Sequence, residues 1–169
     1  MAAAKARDAV QAVIALAVGL ASERLLGFAL LIPSAFTMIV YFAGRWLLPP
    51  QKQAVLGAIA WQAGQLGWLV LAVIIMPAGL AQVGADIVLL SAGIVWFYLT
   101  LSRASALTLV LYHAAGLAWH LKTFLPMPFA SSDAKALLVH MVWRAMAIVI
   151  LGVFIARKSR RAEAAAAFD

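Results

Sequence analysis

The forty positions from Ala9 to Leu48 form an almost continuous apolar run. Drawn as a single helix at about 1.5 Å per residue, the run is roughly 60 Å long, about twice the hydrocarbon core of a bilayer. It therefore has to be membrane-embedded and has to be broken. Composition carries the same demand through the rest of the chain: 66% of the 169 residues are hydrophobic and 11% are charged, with a mean hydropathy of +1.02. A soluble domain is about half apolar and a quarter charged. A soluble fold is excluded. Because a spanning segment must satisfy its own backbone in lipid, the expected fold is all-α: a polytopic integral membrane helix bundle.

Proline and loop signals divide the chain into six spans. Proline disfavours helix in the residue before it and Ser34 can cap a new start, so Ile32-Pro33-Ser34 is the expected break in the opening run. This gives helices at about 8–31 and 34–48, the second short and stopped by Pro49-Pro50, either a thin span or one arm of a re-entrant hairpin. Four more follow at about 53–76, 82–101, 104–121 and 135–156. The last is entered through Ser131-Ser132-Asp133, a polar cap with an acid at the positive helix end. Residues 1–156 are expected to form one transmembrane domain and residues 157–169 a short basic cytoplasmic tail. The N-terminal segment lacks a persuasive cleavage site and is expected to stay in the protein.

Loop charges orient the bundle. With the N-terminus inside, Lys5, Arg7, Arg45, Lys52, Arg103, Arg157, Lys158, Arg160 and Arg161 collect on the inner side, against Lys122 and Lys135 outside. That is the asymmetry of a bacterial-type inner membrane protein with both termini cytoplasmic. Asp86 falls in the outer loop after the third span, which carries no basic residue. The net charge of +7 resides largely in the juxtamembrane cluster, which fits anionic lipid headgroups rather than nucleic acid. With no cysteine, thiolate ligands and cysteine nucleophiles are absent.

Ionisable groups inside spans are costly and mark function. Glu23, His113 and Arg144 fall at one depth, roughly 12 Å below the outer surface, and His140 shares a face with Arg144 four residues on. His113 and His120, with Gly116 between them, share a face of the fifth helix. These residues predict an outer-leaflet polar site in which Glu23 pairs with Arg144, the alternative being a structural ion pair that fixes helix register. His120, beside Trp119, also fits an interfacial role. In the third helix, Ala60, Gly64 and Gly67 form a small-residue face for close packing, while Gln65, between Trp61 and Trp68, is a candidate pocket residue.

No serine, aspartate or metal-hydrolase motif stands out, so an enzyme is disfavoured and no catalytic residue is assigned. The first functional expectation is binding or translocation of a small solute or ion through Glu23, His113, His140, Arg144 and Gln65. An accessory or assembly role beside other membrane subunits is a second. The three imidazoles raise a third, a b-type haem or metal held by His113, His140 or His120.

Overall fold

The computed structural model describes residues 31–75, 79–129 and 131–166. Among these the chain is entirely helical: α1 Leu31–Leu47, the single turn α2 Pro50–Gln53, α3 Leu56–Ile75, α4 Gly79–Thr100, α5 Arg103–Phe124 and α6 Ser132–Ala166. The last four are long and apolar enough to cross a bilayer. They correspond to the spans expected at 53–76, 82–101, 104–121 and 135–156. The helix expected at 34–48 is α1, described over Leu31–Leu47. The helix expected at 8–31, Glu23 included, lies outside the described residues.

Several boundaries differ from expectation for local reasons. The chain is already helical at Leu31, ahead of the break expected at Ile32-Pro33-Ser34. A proline in a first turn removes an N–H that has no helical acceptor there, so the ring is tolerated. Pro49-Pro50 does stop α1, but Pro50 also opens the one-turn α2, and α3 starts three residues later than its expected 53. Helix α6 does not end at 156; it carries the basic segment onward to Ala166 as helix. It begins at Ser132, three residues ahead of the expected 135, through the expected polar cap, the Ser131 hydroxyl accepting from the Ala134 N–H at 3.1 Å.

Helices α3, α4, α5 and α6 pack in a closed ring, with α1 against the outside of α3. The α1–α3 contact rests on the small-residue face. A Cβ added to Gly64 would meet Thr37 Oγ1 at 1.9 Å and the Pro33 carbonyl at 2.6 Å, and one on Gly67 would meet the Phe36 ring at 2.5 Å. Only glycine lets the backbones approach so closely. The opposite faces of α3 point into the ring, where Trp61 stacks on Trp143 of α6 with ring centroids 4.1 Å apart. Each indole N–H donates to the other's backbone carbonyl, at 3.0 and 3.1 Å. This reciprocal clamp satisfies both indoles and pins α3 to α6 at mid-height.

Below the clamp, towards the start of α3, the interior is apolar: Leu56, Leu90, Phe97, Leu109 and Leu151 are buried, and Phe97 meets Phe154 edge-on at 5.1 Å. The end of α4 is closed by cations. Lys52 Nζ donates to the Tyr98 carbonyl and Lys158 Nζ to that of Leu101, complementing the negative end of the helix. Leu101, at φ 45°, turns the chain sharply into α5, which Ser102 caps through the Ser105 N–H at 3.0 Å. The periphery carries exposed Ile39, Ile74, Val88, Leu99, Leu111 and Val149, a surface suited to hydrocarbon and not to water.

Candidate functional site

Above the clamp the ring interior turns polar. Its centre is Arg144, 1% exposed on α6, whose Nη2 donates to Asp86 Oδ2 at 3.0 Å. The second carboxylate oxygen of Asp86 accepts from the Tyr112 hydroxyl at 2.8 Å. The guanidinium lies over the Tyr112 ring, 4.9 Å from its centroid, and presses on the other side against Gly116. A Cβ there would meet Arg144 Nη1 at 2.2 Å, so the glycine is what admits the arginine. The result is a carboxylate with both oxygens engaged and a cation held flat between an aromatic ring and bare backbone.

Histidines and amides extend the cluster. His113 is fully buried, and its Nε2 approaches Gln62 Oε1 to 2.5 Å. An amide oxygen only accepts, so Nε2 carries the proton and Nδ1 presents a lone pair. Trp68 donates its indole N–H to His140 Nε2 at 3.0 Å, which fixes that nitrogen as an acceptor and leaves the ring proton on Nδ1. The His120 and His140 rings face each other with centroids 5.5 Å apart. Gln65 is buried between these groups, on the α3 face it shares with Trp61 and Trp68.

Seven buried polar atoms of this region have no partner among the described protein atoms: Gln62 Nε2, both amide atoms of Gln65, His113 Nδ1, His120 Nε2, and Arg144 Nε and Nη1. They come from three helices, α3, α5 and α6. Each such group costs about 1–3 kcal/mol if left unpaired, and native interiors hold only a few of them per hundred residues. Seven of them gathered around one ion pair form a site that water or a bound polar molecule would satisfy. Donors outnumber acceptors, since the guanidinium and two amide nitrogens offer N–H groups where only Gln65 Oε1 and His113 Nδ1 must accept.

The sequence-predicted site residues are therefore distributed as follows. His113, His120, His140, Arg144 and Gln65 converge on one region. Glu23 lies outside the described residues, and the counter-ion of Arg144 within them is Asp86. Asp86 does not lie in a loop: α4 begins at Gly79, which puts Asp86 two turns into the helix and within reach of α6. Tyr112 and Gln62 complete the cluster. A signal for Asp86 existed in the sequence, because a lone arginine in a span requires a nearby anion. Helix α5 runs to Phe124 and α6 starts at Ser132, so His113 and Arg144 lie about 16–18 Å along their helices from those ends.

For a metal, the His120 and His140 rings lie close together, but the Trp68 N–H occupies the His140 Nε2 lone pair and the ring proton sits on Nδ1, which leaves His120 Nε2 and His113 Nδ1 as the unpartnered imidazole nitrogens. Among the described residues no group of three or more His, Cys, Asp or Glu side chains is placed to hold an ion. No family model, curated protein or solved structure matches this chain.

Proposed function

We propose that this chain is a small bacterial-type inner-membrane protein, both termini cytoplasmic, that binds or translocates a small solute or ion through the polar cluster of α3, α5 and α6. The observation that carries the reading is the concentration of buried, protein-unpartnered donors and acceptors around the Asp86–Arg144 pair. An ion pair that served only to fix helix register would need none of them. The excess of N–H donors favours a solute with acceptor oxygens, such as a carboxylate or carbonyl compound. Because Asp86 already neutralises Arg144, recognition proceeds by hydrogen bonding more than by net charge. Asp86, Tyr112 and Gly116 position the guanidinium; Gln62, Gln65, His113 and Arg144 meet the solute. The lipid bilayer is the surrounding partner, and the basic residues Arg45, Lys52, Arg103, Arg157, Lys158 and Arg160 at one end of the described bundle support the orientation.

Gln65 offers the cleanest test. Replacing it with leucine removes two unpartnered buried polar atoms, so the ligand-free protein should become more resistant to unfolding by about 1–3 kcal/mol. If Gln65 contacts a solute, the same variant loses the small-molecule adduct that native mass spectrometry detects on the wild-type protein purified from its own membrane. Gain of stability with loss of adduct is the expected pair of results. A wild-type protein that carries no adduct, together with a Gln65→Leu variant that supports growth or uptake as well as wild type, would sink the proposal.

A further inference from the structure

Away from the polar cluster, a groove of about 760 Å³ runs between α1, the start of α3 and the last turns of the apolar part of α6. Its walls carry Tyr41 and Phe42 of α1 and Val153 of α6, and its floor is Gly57 and Ala58 of α3. Along α6 it extends from Met146 to Arg157, eleven residues or about 16 Å. That length is about half of a bilayer's ~30 Å hydrocarbon core, the depth of one leaflet. Among the described residues Arg157 is the one charged residue lining it, at the end where the apolar stretch of α6 gives way to the basic segment. Neighbouring cations have other duties: Lys158 holds the Leu101 carbonyl, and Arg103 donates to the Lys158 carbonyl at 3.0 Å.

We infer that this groove is a binding site for an anionic phospholipid, one acyl chain lying between α1 and α6 over Gly57 and the phosphate meeting Arg157. Shape and charge agree. The volume falls in the range of small-molecule sites, the lining is apolar for the depth of one leaflet, and a single cation stands at headgroup level. A zwitterionic lipid would fill the same apolar slot, but the cation beside its phosphate weakens the net attraction to Arg157. The inference rests on the membrane assignment but not on the polar cluster, with which the groove shares no residue beyond the clamp tryptophan Trp61.

Gly57 makes the groove testable from within. A Cβ placed there meets no atom within 4 Å, so a large side chain can project into the slot without displacing the protein. The full chain, purified in detergent, is titrated with phosphatidylglycerol or phosphatidylcholine and read by native mass spectrometry. Wild type should retain phosphatidylglycerol at least fivefold better. Arg157→Gln should remove most of that preference, a fivefold change being about 1 kcal/mol. Gly57→Phe should reduce retention of both lipids while leaving the thermal unfolding midpoint within a few degrees of wild type. Arg160→Gln, a basic residue of the same helix outside the groove, should change nothing. Equal losses from Arg157→Gln and Arg160→Gln would mean diffuse surface attraction and overturn the site. So would retention that ignores both headgroup and Gly57→Phe, the result expected if another part of the chain or a second copy covers the groove. Loss of the solute adduct in Gln65→Leu would leave these lipid results untouched, so the two proposals fail separately.

Discussion

At the scale of single residues, the asymmetry of the ion pair decides what its disruption does. Arg144 is 1% exposed and Asp86 32%. Asp86→Asn strands a guanidinium in the interior, which should cost about 3–5 kcal/mol. Arg144→Gln leaves a carboxylate that is one-third exposed and still accepts from Tyr112, so its cost should be smaller than that of Asp86→Asn. The double variant should be more stable than Asp86→Asn alone. Unfolding in mixed detergent micelles measures all three, and additive costs would show that the two side chains do not depend on each other. Part of this cluster is legible in the sequence: helical spacing and the expense of polar groups in a span single out His113, His120, His140, Arg144 and Gln65. Asp86 is not, because a lone acid just after Pro77-Ala78-Gly79 resembles loop chemistry, and only the early start of α4 brings it inside. Trp143 escaped notice because an aromatic residue in a span has no spacing that separates a clamp from lipid-facing packing.

Among the elements, α1 is the one whose place depends on its neighbour most. Among the described residues it touches the ring chiefly through α3. Gly64 and Gly67 make that contact, and the partner atom nearest Gly64 after Thr37 is a backbone carbonyl that cannot swing away. Gly64→Ala should therefore destabilise the protein by about 1–3 kcal/mol, the usual cost of overpacking. Gly57→Ala, on the same helix and facing open space, should be neutral or stabilising by up to about 1 kcal/mol, since alanine is the better helix former. Similar outcomes at the two positions would remove the argument that α1 docks through a small-residue face. That face could be read from the sequence because small residues at helical spacing have few other uses in a membrane. The ends of α2 and α3 could not, since two prolines can stop one helix and start the next, and which they do depends on whether the following turn finds something to pack against.

For the whole molecule, orientation is the property from which the sidedness of the polar cluster follows. The cluster occupies the half of the ring where α4 begins and α5 ends, and the apolar core and cation-capped end occupy the other half. Lys122 and Lys135 flank the first end; Arg45, Lys52, Arg103, Arg157, Lys158 and Arg160 crowd the second. On the proposed orientation, with the basic end cytoplasmic, the polar half would face outward and the proposed solute would enter from the outer surface. Four spans follow one another with short connections, so fixing one connection fixes the rest. The absence of cysteine makes this directly measurable, because any single introduced thiol is the only one present. Phe129→Cys lies in the exposed connection between α5 and α6, and Arg160→Cys lies on the basic end of α6. A membrane-impermeant maleimide applied to intact spheroplasts should label Phe129→Cys at once and Arg160→Cys only after permeabilisation. The reverse pattern would invert the bundle and turn the polar cluster towards the cytoplasm. The lipid groove would then face the outer leaflet, where anionic headgroups and a basic helix end do not normally meet, so a single labelling experiment bears on both sites.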